Sequence, residues 1–268
     1  MRFIYIMLKQ LKISPERIEK RIIKFIQDEL GKTPFHQGII GLSGGLDSTV
    51  VAYLTAKAIG SKNVFGLILP FRTSSSKNIA DAKLVAKKLS IHYKITNITP
   101  MLKSYFKDFS KVNKIRLGNK MARERMSILY DLAKKEKALV IGTSNRTELL
   151  LGYFTKYGDA GVDIEPLGSL YKSQVYQLAE YLNIPEKIIN KVPSAELWKG
   201  QTDEGELGLT YKEMDEILYF LVDRKYKKEK ILKLGYPEKK IEKIESLFKN
   251  SSHKRNLAPV PLRGGRLR

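Results

Sequence analysis

The sequence contains no cysteine among its 268 residues. Disulfide bonds, thiolate zinc sites and cysteine nucleophiles are therefore excluded. Long apolar runs are also missing, because no window approaches the roughly 20 apolar residues of a membrane-spanning helix. The apolar start, residues 1–8, is followed by lysines and has no small-residue cleavage site. We therefore expect a cytoplasmic protein that does not associate with membranes.

Acidic residues are scarce relative to basic ones. The chain has 28 Asp and Glu against 49 Lys and Arg, a formal net charge of +21. A field of this sign attracts polyanions, and both small phosphorylated substrates and RNA meet that description. Many of the lysines, such as Lys225, Lys227 and Lys228, fall on predicted helix faces, where solvation alone accounts for them. Net charge therefore leaves the partner open.

What the chain does have is an alternation of short apolar runs and amphipathic segments. This pattern predicts an α/β fold, with a doubly wound, mostly parallel sheet, helices on both faces and a helical C-terminal part. We expect strands at residues 37–42, 64–69, 93–98 and 138–141, and helices at residues 16–30, 48–59, 78–89 and 122–135. Ligands of such sheets bind beyond the carboxyl ends of the strands.

The most informative motif is an octapeptide at the end of the first predicted strand. It consists of Gly41, Leu42, Ser43, Gly44, Gly45, Leu46, Asp47 and Ser48. Glycines let the backbone approach an anion closely, and the amide groups at a helix start point toward it. Asp47 would repel a bare phosphate unless a divalent cation lay between them. Tight packing alone can also place glycines in such a turn, but the serines and the aspartate favour a pyrophosphate or triphosphate bound with Mg²⁺.

The octapeptide lacks the Gly-Lys-Ser/Thr ending of the Walker loop. It resembles instead the S-G-G-x-D-S loop of the ATP pyrophosphatase superfamily, whose members cleave ATP between the α- and β-phosphates. This resemblance implies the class of reaction and leaves the acceptor open.

Two further stretches carry candidate chemistry. Glu148 lies one turn into the helix that follows the fourth predicted strand. By itself it is either a surface group favoured by the helix dipole or a magnesium ligand. Because Asp47 needs a cation at a neighbouring strand end, we favour two carboxylates that share one Mg²⁺. Residues 154–167 are too rich in glycine for a helix and too long for an incidental turn, which indicates a functional loop.

Several separate motifs, in the same order, resemble those of ammonia-dependent NAD synthetases. They are L-G-N-K-M-A-R-E-R-M at residues 117–126, F-T-K-Y-G-D-A-G-V-D at residues 154–163, P-L-G-S-L-Y-K at residues 166–172, P-S-A-E-L-W and G-Q-T-D-E within residues 193–204, and S-H-K-R at residues 252–255. The resemblance extends from about residue 41 to about residue 261.

The resemblance implies an adenine nucleotide alpha hydrolase-like fold with a five-stranded sheet, and a single domain over residues 1–268. The parts of this domain would be an N-terminal helical segment (residues 1–36), an α/β nucleotide-binding core (37–170), a mainly helical part (171–250), and a substrate-binding segment with a basic tail (251–268).

The resemblance also implies roles for individual residues. The octapeptide would bind the ATP phosphates together with Thr143, Lys172 and Ser194, and the catalytic residues would be Asp47, Lys172 and Ser194. Deamido-NAD, the nicotinic acid adenine dinucleotide, would be held by Arg123, Lys156, Asp163, His253 and Lys254. Asp47 and Glu148 would be the ligands of Mg²⁺.

The activity implied is the ATP-dependent amidation of deamido-NAD with ammonia, which gives NAD, AMP and pyrophosphate through an NAD-adenylate intermediate. Glutamine-using relatives carry a glutaminase domain with a catalytic cysteine, and the length and composition of this chain lead us to expect free ammonia instead. The resemblance further implies a homodimer, and we expect no nucleic-acid partner.

Two alternatives remain at this point. An RNA-modifying member of the superfamily, such as a tRNA lysidine synthetase, would account for the net charge but not for the F-T-K-Y-G-D stretch. A non-enzymatic sensor of adenine nucleotides would bind ATP without turnover.

Overall fold

The computed structural model describes residues 9–198 and 200–259. The apolar start of the chain and the arginines of the basic tail, Arg263, Arg266 and Arg268, lie outside the described residues.

Four parallel strands form the sheet within the part of the chain that the structure describes. They are β1 (Gln37–Gly41), β2 (Val64–Ile68), β3 (His92–Ile95) and β4 (Ala138–Ile141), in the order β3-β2-β1-β4. All four lie at the predicted places. The order reverses direction at β1, because β2 and β3 follow on one side of it and β4 lies on the other. The carboxyl ends of β1 and β4 therefore flank the topological switch point of the sheet, where ligands of such folds bind.

The expectation of a fifth strand was wrong for the described residues. In the place of a fifth strand, a single parallel bridge joins Ile141 of β4 to Ile164. The amide of Gly142 donates to the carbonyl of Ile164 at 2.8 Å. Two residues later comes Pro166, which has no N–H group with which to continue a ladder, so pairing stops after one residue.

Helices precede, connect and follow the strands. In the first part of the chain they are α1 (Pro15–Gly31), α2 (Leu46–Ile59), α3 (Ser76–Lys88), α4 (Thr99–Phe106) and α5 (Lys114–Glu136). After β4 come α6 (Arg146–Leu151), α7 (Lys172–Tyr181), α8 (Glu186–Ile189), α9 (Asp203–Leu207), α10 (Tyr211–Leu218), a π-helical turn (Tyr219–Asp223), α11 (Lys228–Leu232), α12 (Glu238–Asn250) and α13 (Ser252–Arg255). None of these helices is both long enough and apolar enough to cross a bilayer.

Helix α5 begins earlier than the sequence predicts, at Lys114 instead of residue 122. Its start is fixed by Asn113, whose side-chain oxygen accepts a hydrogen bond from the amide of Arg116 at 2.8 Å. Such caps satisfy one of the free amide groups of the first turn. The additional turns lack a clear apolar face, which is why the periodicity did not reveal them.

The sheet separates two apolar cores. Successive side chains of a strand point to opposite faces, and accordingly Ile40 packs with α1, α2, α3 and α7 whereas Ile39 packs with α4 and α5. A third apolar cluster joins α9, α10, α11 and α12 in the C-terminal part. Helix α2, which begins inside the octapeptide, is buried almost all round, so the octapeptide is attached to a well-packed part of the fold.

Glu165 is partly buried beside the single bridge. One of its carboxyl oxygens accepts from the amide of Ser144 at 3.0 Å, while the other, Oε1, has no hydrogen-bond partner among the described residues. The carboxyl group occupies the space next to Gly142, where a Cβ atom would come within 2.4 Å of it. Burial raises the pKa of Glu165 to about 8, which the hydrogen bond from Ser144 offsets only in part.

This carboxyl group predicts a pH-dependent stability. Its pKa is raised in the folded state, so its favourable contribution is present below the unfolded value and is lost as the pH rises toward about 8. We expect Glu165→Gln, which cannot ionise, to gain stability relative to the wild type between pH 5 and pH 8. Urea unfolding of both proteins across this range measures the difference, and parallel curves would contradict the burial of an ionisable group here.

Candidate active site

A cavity of about 670 Å³ opens at the carboxyl ends of β1, β2 and β4. Of the residues that the sequence assigned to ATP or metal, the cavity is lined by Gly41, Leu42, Ser43, Gly45, Leu46, Asp47, Ser48, Thr143, Glu148, Lys172 and Ser194. The remaining one, Gly44, lies behind the loop and packs on α3. Residues from four distant parts of the sequence thus meet at the switch point of the sheet.

The octapeptide forms a compact loop stabilised by its own hydroxyl groups. The Ser43 and Ser48 hydroxyls lie 3.0 Å apart, and the Gly45 amide donates to Ser43 Oγ at 3.1 Å. Gly45 is the residue before α2 and has no side chain with which to cap the helix. The amide groups of the first turn are therefore available to an anion, and the positive end of the helix dipole points at the cavity.

Two carboxylates and one ammonium group meet on the floor of the cavity. Lys172, at the start of α7, is buried and donates to Asp47 Oδ2. Burial alone lowers the pKa of Lys172, but Asp47 and Glu148 outweigh it and raise that pKa above its usual value. Burial and the nearby charge of Asp47 raise the pKa of Glu148 well above its usual value. The single ammonium group therefore does not compensate both carboxylates.

This arrangement fits a magnesium ion that is held largely by a nucleotide. Among residues 9–198 and 200–259, no group of three or more Asp, Glu, His or Cys side chains is placed to hold a metal ion. Mg²⁺ commonly uses only one or two carboxylates and takes its other ligands from phosphates and water. Asp47 and Glu148 supply two hard oxygen donors next to the phosphate-binding loop, and a cation there would relieve their mutual repulsion.

Asn145 connects the two carboxylates. Its side-chain Nδ2 donates to Asp47 Oδ1 at 3.1 Å, and its backbone amide donates to Glu148 Oε2 at 3.1 Å. Asn145 and Glu148 also form the reciprocal cap that begins α6. The sequence analysis did not single out Asn145, although an N-cap residue followed three positions later by Glu is a recognisable signal.

Asp215 of α10 supports the cluster from behind. It is fully buried and accepts from Thr147 Oγ1 at 2.5 Å and from the Ser173 amide at 2.8 Å. Thr147 Oγ1 in turn accepts from the amide of Lys172 at 3.0 Å. Burial raises the pKa of Asp215 to about 6. These contacts fix the start of α7, and with it Lys172, relative to α6. No local sequence signal identifies Asp215, because its partners are far away in the chain.

Of the five residues that the sequence assigned to deamido-NAD, Lys254 lines the cavity, whereas Arg123, Lys156, Asp163 and His253 lie outside its lining. Arg123, Lys156 and His253 each directly precede or follow a lining residue in the chain, at the mouth of the cavity. Arg123 Nε donates to the carbonyl of Lys156 at 3.2 Å, and Lys156 Nζ donates to the carbonyl of His253 at 2.7 Å. Lys254 reaches further in, lines the cavity and donates to the carbonyls of Gly152 and Phe154 at 2.7 and 2.9 Å. Four of the five assigned residues are therefore neighbours.

Asp163 makes a different set of contacts. Its carboxylate accepts from the Tyr130 hydroxyl at 3.0 Å and from the Val140 amide at 2.7 Å, beside β4. It thus ties α5 and the edge of the sheet to the loop that contains Lys156. Asp163 lies outside the lining of the cavity, and its assigned role stays a prediction.

Comparisons with known proteins agree with this geometry. The family model described as NAD synthase matches residues 18–258. The NH(3)-dependent NAD(+) synthetase of Trichlorobacter lovleyi is 43% identical over 259 residues, which cover 97% of this chain and 95% of that protein.

Solved structures show the same likeness. The NMN synthetase from Francisella tularensis superposes with a TM-score of 0.83 at 37% identity, covering 93% of this chain and 99% of that one. The NH3-dependent NAD synthetase from Campylobacter jejuni gives a TM-score of 0.81 at 34% identity, covering 94% and 100%. The family model matches most of the chain, and these relatives are at least 34% identical over more than nine tenths of it. The chain therefore belongs to the NAD synthase family.

Proposed function

We propose that the protein is an ammonia-dependent NAD synthetase, a ligase that converts deamido-NAD, ATP and ammonia to NAD, AMP and pyrophosphate. The observation that carries the proposal is the meeting of the octapeptide, Asp47, Glu148 and Lys172 in one cavity of a chain from this family. The three relatives named above are NAD or NMN synthetases, and none of these three is an RNA-modifying enzyme.

The first step activates a poor electrophile. A nicotinate carboxylate repels nucleophiles and has no good leaving group, so an oxygen of this carboxylate attacks the α-phosphorus of ATP. The bond from that phosphorus to the β-phosphate bridging oxygen breaks, and pyrophosphate leaves with the electron pair. The amides at the start of α2 and the ammonium of Lys172 lie where negative charge grows on the departing phosphates. Ser194, on the facing segment, contacts the nucleotide in this proposal.

The second step forms the amide. Ammonia attacks the carbonyl carbon of the adenylate, AMP departs, and the nitrogen loses one proton to solvent. The adenylate would hydrolyse if water reached it. Residues within 154–162, 193–198 and 201–206 line the cavity, and we propose that the loops to which they belong close over the bound substrates.

Magnesium is part of the proposal. Asp47 and Glu148 would hold it together with the phosphates of ATP. When bound, the ion would neutralise charge on the phosphates as pyrophosphate leaves. The residues of the chain then orient the two anionic substrates, whose mutual repulsion is the main obstacle to bringing them together.

A homodimer is also proposed, and an exposed apolar surface on α4, the start of α5 and the segment between them supports it. The surface consists of Met101, Tyr105, Phe109 and Ile115, whose exposed fractions are 40%, 50%, 43% and 66%. The Tyr105 and Phe109 rings stack with their centroids 5.8 Å apart. Contiguous apolar surface of this kind marks protein–protein contacts. Since α5 also carries Arg123, the interface would lie near the mouth of the cavity.

The function is tested by incubating the protein with ATP, Mg²⁺, deamido-NAD and ammonium. We expect NAD and AMP in equal amounts, no stimulation of ATP cleavage by tRNA, and a lower rate with nicotinic acid mononucleotide in place of the dinucleotide. The last comparison matters because one similar structure is an NMN synthetase. In the same assay we expect Asp47→Asn to lower the rate about 100-fold, because the variant loses a carboxylate that would hold Mg²⁺ and with it the cation's stabilisation of the departing pyrophosphate.

Thermal unfolding of the Asp47→Asn protein serves as the control for folding. The proposed function would be wrong if the wild type made no amide or released inorganic phosphate instead of pyrophosphate. Normal activity of Asp47→Asn would leave the function intact and remove Asp47 from the site.

Lys156 tests the assignment of the substrate-binding residues. We expect Lys156→Ala to raise the KM for deamido-NAD about tenfold with little change in the KM for ATP, because it removes a charge that serves one substrate only. Lys24→Ala, at an exposed lysine of α1, is the matched control. A larger effect on the KM for ATP would mean that the two substrate sites have been exchanged.

The oligomeric state tests the apolar surface. We expect the wild type to sediment as a dimer at micromolar concentration, and Tyr105→Glu to sediment as a monomer because it places a charge in the interface. Tyr181→Glu makes the same change at another exposed tyrosine, on α7, and is expected to leave the dimer intact. A monomeric wild type, or a dimeric Tyr105→Glu protein, is inconsistent with the proposed interface.

A further inference from the structure

Lys191 connects three parts of the site that are distant in sequence. It follows α8 and precedes Ser194 by three residues. Its Nζ contacts the Gly44 carbonyl at 2.7 Å, Asn78 Oδ1 at 2.6 Å and Asp81 Oδ2 at 2.8 Å. Only 17% of its side chain is exposed. The ammonium group therefore joins the phosphate-binding loop to α3 and to the segment that carries Ser194.

These three contacts occupy all the hydrogen-bond donors of the Lys191 ammonium group. Lysine has three N–H donors and no acceptor, and Lys191 has three oxygen acceptors at hydrogen-bond distance. A phosphate could take one of these donors only by displacing a protein partner. Although Lys191 lines the cavity, its geometry is that of a structural tie on the loop and not that of a phosphate ligand.

The hydrogen bond from Lys191 to the Gly44 carbonyl restricts the conformation of the octapeptide. A peptide unit is planar and trans, so the Gly44 carbonyl and the Gly45 N–H point in opposite directions. A peptide between two glycines flips at low cost, because glycine accepts both signs of φ; Gly44 has φ +77°. By holding the carbonyl, Lys191 also fixes the direction of the Gly45 amide, which donates to Ser43 Oγ at 3.1 Å and so keeps the loop before α2 in its compact form.

Asp81 anchors the ammonium group on the other side. It is buried on α3 and pairs with both Lys191 and Lys187, the latter at 2.6 Å. Burial acts to raise the pKa of Asp81, but the hydrogen bonds from Lys187 and Lys191 outweigh it and hold this pKa below its usual value. The carboxylate is therefore charged at neutral pH, and the tie to Lys191 persists there.

We propose that Lys191 is a positioning residue for adenylation: it holds the Gly44–Gly45 peptide in the orientation that keeps the loop folded, with the first amides of α2 facing the triphosphate and in register with Ser194. This inference rests on the proposed function, since it assigns a task to a residue around the same site. It predicts an effect on turnover that exceeds any effect on substrate affinity.

The test compares Lys191→Met with Lys187→Met. Both changes remove one of the two lysines that pair with Asp81, but Lys187 is half-exposed and its ion pair with Asp81 does not extend to the phosphate-binding loop. The rate of deamido-NAD-dependent exchange between pyrophosphate and ATP measures the adenylation step alone. We expect Lys191→Met to lower its kcat roughly 30- to 100-fold, as misplacement of a reacting group does, with the KM for deamido-NAD unchanged. Lys187→Met is expected to stay within about twofold of the wild type.

The double variant Lys191→Met/Asp81→Asn separates an effect on catalysis from an effect on folding. Lys191→Met alone leaves the buried Asp81 carboxylate with one partner fewer, which destabilises the folded protein. Asp81→Asn removes that charge as well. We expect the double variant to regain thermal stability and to keep the low kcat. Recovery of kcat together with stability would overturn the inference, because the effect would then be one of folding.

Three other results would also overturn it. They are a Lys191→Met protein with normal kcat, a Lys187→Met protein with the same defect, and a Lys191→Met protein in which only the KM for ATP rises, as expected of a direct phosphate ligand. If the wild type itself showed no exchange, the proposed function would fail instead, so the two failures are distinguishable.

Discussion

The structure depends on an unequal set of charges at the switch point of the sheet. The buried Lys172 lies against Asp47 with Glu148 nearby, so one ammonium group faces two partly buried carboxylates. Separating such charges from their partners costs several kcal/mol per ion. The surrounding polar contacts of Asn145 and Asp215 hold the three groups in place. The remaining negative charge makes the site receptive to a cation that arrives with a nucleotide.

The fold supplies the rigidity that this arrangement needs. Asp47 is on α2, which is buried almost all round, and Lys172 is on α7, which packs against α1 and α2 in the same core. Glu148 is on α6, which begins just after β4. Asp47 and Lys172 thus come from helices of the larger core, and Glu148 comes from a helix whose Leu151 packs in the C-terminal cluster. Preorganised charges of this kind act on a transition state without further rearrangement.

Much of the fold and part of the site could be predicted from the sequence. The four strands and the octapeptide are local signals, because a buried strand, a glycine turn and a buried helix follow one another within a few residues. The contacts of Asp215 and Lys191 could not be predicted, because their partners lie 42 to 147 residues away and no periodicity relates them. The missing fifth strand has a local cause that was overlooked, namely Pro166 after Ile164. Pairs distant in sequence become visible only when the topology is known.

The two halves of the site differ in how far they are formed in advance. Around the octapeptide, Lys172 is buried, Asp47 and Glu148 are partly buried, and all three are held by hydrogen bonds. At the mouth, Arg123 and Lys156 donate to backbone carbonyls of Lys156 and His253 in exposed positions. A hydrogen bond exposed to water contributes little net free energy, so an anionic substrate can take over these donors at small cost. The half of the site around the octapeptide is therefore preformed, whereas the half around Arg123 and Lys156 can still be rearranged by a ligand. This division fits the finding that the residues assigned to ATP converge on one cavity, whereas of those assigned to deamido-NAD only Lys254 lines it.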